Sequence, residues 1–397
     1  MHILGRALSE GVVPAEDSII IDPYPEPFAQ WHRRVNNCRM RFLRSPASHG
    51  IARDYRTIRR TIRSREDFTP PYHRPSVELF ADHLHQYRGE TLAGTNQVQG
   101  MVHAILPAQD ASGYRIEIAG TNAPRAVTAD VVILAVGQPP VRIPPPLTSL
   151  PATAPLYHVH EDTSAIDHLT SSSAIAIVGG GIAAAHLSLA LTERGHHITV
   201  WNRDRFTSYQ FDSDPCFVGP RCASLFASIP DYRDRRALIQ RSRRAGSVPP
   251  ALFQEIRRTE QARRLRIIRG EVTRAALSGK RIVITGREQT VNASSGPRSA
   301  PRRSEEFDAV IACTGFTAGP PAADLIHQIS RALSLRIAED GYPIPSAELQ
   351  WAPGVFVAGA LGELELGPPA RNLVGAHLAG RRILPALHRL FTAQRSN

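Results

Sequence analysis

The stretch IAIVGGGIAAAHLSLA, residues 175–190, constrains the chain more than any other. An apolar strand (Ala174 to Val178) runs into a glycine turn in which Gly179, Gly181 and Ala184 fill the small positions of G-x-G-x-x-G/A. The first permits the tight turn, the second lets a pyrophosphate approach the backbone, and the third lets helix and strand pack closely. A helix over Ala183 to Arg194 follows, Gly195 ends it, and HHITVW (His196 to Trp201) is the next strand. A glycine triplet alone says little. Strand, turn, helix, stop and second strand within about 30 residues specify a dinucleotide-binding unit.

The tip of the second strand chooses the nucleotide. An NAD site places Asp or Glu there to accept from the ribose 2'-hydroxyl. Here Asn202 stands in that place, followed by Arg203, Asp204 and Arg205. A neutral residue beside two guanidiniums suits a 2'-phosphate, so NADPH is expected over NADH.

The formal charge is +11, which raises nucleic acid as a partner. Of the 47 Lys and Arg residues only Lys280 is lysine, and the arginines spread along the whole chain. The densest runs, Arg233 to Arg244 and Arg257 to Arg266, alternate with apolar residues at helical spacing and read as solvated helix faces. No nucleic-acid motif accompanies them, and no nucleic acid is expected. The four cysteines, Cys38, Cys216, Cys222 and Cys313, contain no CxxC pair and read as buried free thiols in a reducing cytoplasm. The first residues, MHILGRALSEG, have no apolar signal core, and no membrane span is expected. His49, His73, His158, His160 and His377 are candidate acid–base groups; none has metal-ligand spacing, and no metal is expected. His158 and His160 would share one face of a strand.

Two further segments pair an acidic residue and an apolar strand with a small-x-Gly exit: ADVVILAVGQPP (Ala129 to Pro140) and FDAVIACTGF (Phe307 to Phe316). They are similar to the ATG-type exits of two-dinucleotide flavoproteins, where the chain crosses between an FAD domain and an inserted NADPH domain. That likeness implies an α/β chain with two Rossmann-like, three-layer domains, the NADPH domain inserted into a discontinuous FAD domain. We divide it as 1–145 (FAD domain, first part), 146–315 (NADPH domain with a helical insertion about 211–265) and 316–397 (FAD domain, C-terminal part). GVFVAGA (Gly354 to Ala360) looks like the last FAD-domain strand, with a helix starting near Pro368 to Ala370 whose amides would face the flavin. Gly137, Gly359, Ala360 and Asn372 are the expected FAD contacts there, with Glu363 or Glu365 as further candidates.

The FAD domain should also open with a strand and glycine turn. The chain begins instead with a helix-like Met1 to Glu10 and then the strand SIIID, whose Asp22 is the expected ribose ligand. Gly181 precedes Asn202 by 21 residues, and the same count back from Asp22 reaches position 1. The first glycine turn is therefore expected to be absent, either because the true start lies upstream or because the protein is truncated. In the usual 3-2-1-4-5 order the missing strand is central, so two neighbours would be left unpaired.

At RMRFLRSPASHG (Arg39 to Gly50) and TPPYHRPSVELFADHLHQY (Thr69 to Tyr87) the chain resembles the flavin-dependent N-hydroxylating monooxygenases, the lysine/ornithine N-monooxygenase family. Phe42, Leu43 and Arg44 match its Phe-Leu-basic stretch; Tyr72, Arg74, Pro75 and Phe80 match its Tyr-x-Arg-Pro-x-x-x-x-Phe element. FDSDPCFVGP (Phe211 to Pro220) is a looser match, and the likeness runs from about Ser18 to the C-terminus. It implies FAD and NADPH as cofactors, O2 as co-substrate and a small amine or amino-acid-like molecule as substrate, with Arg44 near flavin or substrate and Arg74 structural. The alternatives are an NADPH-dependent flavin oxidase or reductase without oxygenation, and a truncated or degenerate NADPH-binding protein without activity. Substrate identity and oligomeric state are left open.

Overall fold

A computed structural model describes residues 1–109, 113–120, 123–289 and 302–395. At its centre lies a seven-stranded sheet, ordered Arg302–Phe307, Arg281–Glu288, Leu265–Ser278, His197–Asn202, Ala174–Val178, Ala309–Ala312, Leu156–His158. Ala174–Val178 pairs in parallel with His197–Asn202 on one side and with Ala309–Ala312 on the other. Ile175, Ala176 and Ile177 are fully buried, as are all four residues of Ala309–Ala312. Strands covered on both faces need such unbroken apolar runs, which is why these two were legible as strands. The helix Ile182–Glu193 covers one face through Ala184, Ala185, Leu187 and Leu191.

The second α/β layer is in two pieces. Ile19–Asp22 pairs in parallel with Asn96–Gln99. Val132–Leu134 pairs in parallel with Val355–Val357, which carries Gln350–Ala352 on its other side. Among the described residues no strand joins the two pieces, and Ile19 is 42% exposed. Beside them an antiparallel sheet, Met101–Pro107, Tyr114–Ala119 and Ala126–Ala129, packs on the helix Ala323–Ala332. Gln328 of that helix accepts from the Ile105 amide at 3.0 Å. Val355, Phe356, Val357, Ile105 and Ile326 form one continuous core with the C-terminal helix.

Three helices, Pro220–Ala227, Tyr232–Ser242 and Pro250–Gln261, form a lobe inserted after His197–Asn202. Two sequence expectations are corrected here. The run Arg233 to Arg244 is only partly a solvated face: Arg233 and Arg241 are exposed, but Arg235 is 9% exposed and donates to the Ile229, Leu364 and Ala227 carbonyls and to Glu365. Arg236 beside it pairs with Glu363 and Asp340. The acidic partners, Glu365, Glu363 and Asp340, lie more than a hundred residues away in sequence, so the local pattern could not reveal them. Nor are all four cysteines free thiols. Cys216 and Cys222, six residues apart, form a disulfide, while Cys38 and Cys313 are buried and free.

Candidate dinucleotide and flavin site

Each glycine of the central turn has its own job. Gly179 takes φ +140°, and a methyl there would overlap the Cys313 carbonyl oxygen. Its amide donates to the Trp201 carbonyl at 2.8 Å, so the turn is seated across two strands. Gly180, outside the three-residue fingerprint, leaves room for the Asn202 side chain, which a methyl would strike. Gly181 has φ −94° and caps the helix Ile182–Glu193; the nearest atom to an added methyl is the Gly246 Cα at 3.6 Å. The first amides of that helix have no side-chain cap. Open space over a helix N-terminus is what a pyrophosphate requires. Ala184 is fully buried, holding helix and strand close.

Asn202 is 7% exposed and fills the floor of the turn under Gly180. Arg203 and Arg205 lie exposed just past the strand tip. Arg203 sits 3.5 Å from Asp204, and both groups are largely in water. The guanidinium of Arg205 makes no hydrogen bond or ion pair among the described residues.

Arg44 spans from the first segment to the inserted lobe. It donates to the Tyr209 carbonyl at 2.8 Å, the Gln210 carbonyl at 2.9 Å, and the Ser247 carbonyl and hydroxyl. Burial pulls its pKa down, and nearby Asp212 opposes that. The stretch around it is held by the other matching element, since the Leu43 amide donates to the Pro75 carbonyl and Phe42 bridges Ser76. Arg74, 6% exposed, donates to the Pro70 carbonyl, and Ser76 caps the helix Val77–Thr91.

On the flavin side, Asp22 stands at the tip of its strand and accepts from the Tyr24 amide at 2.9 Å. Burial raises its pKa against that bond. Gly137 (φ +82°) faces Gln30, and Gly359 (φ +60°) has nothing within 4 Å of where a side chain would begin. Ala360 is 4% exposed. The helix expected near Pro368 to Ala370 begins at Leu373 instead; Pro368–Arg371 is a 3-10 turn that starts from Gly367 at φ +77°. Asn372 accepts from the Gly375 amide at 3.2 Å and so caps the long helix. Glu363 and Glu365 are engaged elsewhere. Glu363, 1% exposed on its side chain, accepts from Arg371 at 2.6 and 2.9 Å and from Arg236; Glu365 pairs with Arg235.

The strand Leu156–His158 ends at His158, so His160 lies in the turn beyond and not on a shared strand face. The His160 amide donates to His158 Nδ1 at 3.2 Å, and the His160 ring stacks on Phe316 at 4.9 Å. Arg34 lies over the same Phe316 ring. Burial pulls both imidazoles down to about 4, so they are neutral at neutral pH and serve as packing surface. His377 lies tilted against the His2 ring at 4.1 Å and bonds the Gly50 carbonyl. Among the described residues no group of three His, Cys, Asp or Glu is placed to hold a metal.

The residues around Gly181 fit the pyrophosphate of a dinucleotide. Asp22 at its strand tip and the open space at Gly359 leave room for a second dinucleotide. No second glycine cradle lies between Ile19–Asp22 and Val132–Leu134 among the described residues.

Solved structures with this fold include the ornithine N-hydroxylase of Kutzneria sp. 744, solved with reduced FAD, NADP+ and L-ornithine (TM-score 0.77, 16% identity, covering 98% of this chain and 96% of that one). The FAD-bound cadaverine monooxygenase of Erwinia amylovora gives TM-score 0.73 at 13% identity over 97% and 92% of the two chains. The ornithine hydroxylase of Pseudomonas aeruginosa gives 0.71 at 17% identity over 98% and 96%. No curated protein matches the chain by sequence. The family model described as L-lysine 6-monooxygenase/L-ornithine 5-monooxygenase matches residues 82–318, well over half of the chain. With the two α/β layers, the inserted lobe and the paired Phe42–Arg44 and Tyr72–Phe80 elements, that match settles the class: the chain belongs to the lysine/ornithine N-monooxygenase family of flavin-dependent enzymes.

Proposed function

We propose that the protein is an FAD- and NADPH-dependent monooxygenase that hydroxylates the amine nitrogen of a small amine or amino-acid-like substrate. The observation that carries this is the open approach to Gly181 at an uncapped helix N-terminus, with Arg203 and Arg205 beyond the next strand. NADPH and FAD, when bound, supply hydride transfer and the activation of dioxygen. The chain's own residues bind and orient. The first amides of Ile182–Glu193 hold the pyrophosphate of NADPH, and Arg203 and Arg205 grip its 2'-phosphate. Asp22 accepts from the FAD ribose, while Gly137, Gly359, Ala360 and Asn372 lie against the flavin. Arg44 fixes the inserted lobe over the first segment, and the stacked His160 and Phe316 keep water out of the junction. We divide the chain as 1–145 and 316–397 for FAD and 146–315 for NADPH. No helix of the described residues is long and apolar enough to cross a membrane.

The test is turnover with NADPH, FAD and a panel of small amines, following NADPH loss and product mass. A product heavier by one oxygen supports the proposal; NADPH loss with peroxide as sole product overturns it. Replacing Arg203 and Arg205 together with alanine is expected to raise the KM for NADPH by roughly 10- to 100-fold, as for losing one or two charge-assisted contacts. The KM for NADH should be unchanged, and equal losses for both nucleotides would remove these arginines from the 2'-phosphate.

A further inference from the structure

We propose that Cys216 and Cys222 are a reversible redox-modification site that controls how firmly the helix Pro220–Ala227 of the inserted lobe is held against the segment leading to Asn372. The proposal is independent of the N-hydroxylation reading. Two anchors hold the first and last turns of the helix Pro220–Ala227 in place. That helix has eight residues and no side-chain cap. Isolated helices of this length are not stable in water and depend on tertiary anchors. Phe226, 2% exposed, is its one buried residue. It packs with Ile239, Tyr342 and Leu364 in the small core between the lobe and the C-terminal part of the chain. The Phe226 ring also lies 3.2 Å from where a side chain on Gly367 would begin, directly before the turn Pro368–Arg371. The second anchor is covalent: the disulfide ties Cys222, in the first turn of the helix, back to Cys216 in the preceding 3-10 turn, with their Cα atoms 5.6 Å apart.

The two pairs of cysteines differ in access. Cys38 and Cys313 are buried, and burial pushes their thiols up, that of Cys38 to about 12, so they stay protonated and inert. Cys216 is exposed and Cys222 half-buried, so a small thiol or a dithiol protein can reach the Cys216 sulfur. Its thiolate attacks that sulfur and expels Cys222 as thiolate, which takes up a proton. A second thiol then resolves the mixed disulfide. In sum, two reductant thiols become one disulfide and the two cysteines become two thiols. Peroxide reverses the change: the cysteine thiols give up two electrons and two protons, and hydrogen peroxide leaves as two waters. With the clip open, the first turn of the helix loses its tie and only its C-terminal end stays anchored, through Phe226 and the Arg235 bond to the Ala227 carbonyl, while the ion pairs of Arg235 and Arg236 keep the neighbouring helix docked. Arg221, exposed between the two cysteines, becomes the natural reporter.

The experiment compares the full chain after peroxide and after dithiothreitol, counting thiols in denaturant and following tryptic cleavage after Arg221 by mass. We expect two thiols in the oxidised protein and four in the reduced one, with cleavage at least about tenfold faster when reduced. Cys216→Ser/Cys222→Ser should be cleaved at the fast rate under both conditions, and Phe226→Ala should speed cleavage even when oxidised. Four thiols after peroxide, or equal cleavage rates in both states, would overturn the proposal. Neither readout requires turnover, so a failure of N-hydroxylation leaves the result interpretable.

Discussion

Gly181→Ala is expected to leave the fold intact and weaken NADPH by roughly thirtyfold, about 2 kcal/mol, as for losing one or two charge-assisted amide contacts. Room exists for the methyl in the protein itself, since the nearest atom is the Gly246 Cα at 3.6 Å and φ is −94°. The same methyl stands where the pyrophosphate must approach the backbone. Gly179→Ala is expected to behave differently. Its methyl would overlap the Cys313 carbonyl, and φ +140° disfavours any side chain, so the strand Ala309–Ala312 must shift inside a fully packed sheet. Overpacking and backbone strain together cost about 3 kcal/mol or more, and stability and NADPH binding fall together. Urea unfolding beside calorimetric titration with NADPH separates the two outcomes. Wild-type affinity in a folded Gly181→Ala protein would mean that this turn is not the NADPH cradle.

The contrast between those glycines shows where sequence was enough. The strands Ala174–Val178 and Ala309–Ala312 were legible because complete burial demands an unbroken apolar run, a purely local signal. Gly179, Gly181 and Ala184 were legible because their spacing is set by one turn. Gly180 was not: its need is created by Asn202, which comes back beneath it only once the second strand is in place. Arg44 could be picked out by its motif, but its partners at Tyr209, Gln210 and Ser247 lie over 160 residues away. The Cys216–Cys222 bond escaped because the absence of CxxC excludes one kind of pair and says nothing about a six-residue spacing. The arginine run at 233–244 misled for the opposite reason. Its alternation is that of an amphipathic helix, and nothing local distinguishes a guanidinium facing water from one facing Glu363. Local periodicity yields elements. The identity of a buried charge partner is tertiary information.

Glu363 is where that tertiary information carries the greatest energetic weight. Its side chain is 1% exposed and accepts from Arg371 and Arg236, while Arg371 also donates to the Tyr342 hydroxyl at 2.6 Å. Removing one partner of a buried ion pair strands the others without compensation, which typically costs about 3–5 kcal/mol. Glu363→Gln should therefore lower the unfolding midpoint markedly, because its amide offers donors to guanidiniums that need acceptors. Replacing both partners, as Glu363→Leu/Arg371→Met, should cost less than the single change, since Arg236 keeps Asp340. The pH dependence has a definite sign. Burial pushes the Glu363 carboxyl up, but its bonds to Arg371 and its pairing with Arg236 outweigh that and hold it below the usual range. A depressed folded value means the stabilisation is present above the unfolded value of about 4.3 and is lost as pH falls from there through the folded value. Wild-type stability should thus drop along that acid limb, and Glu363→Gln should show a flatter one. Parallel acid limbs in the two proteins would show that this carboxylate is not ionised in the folded chain.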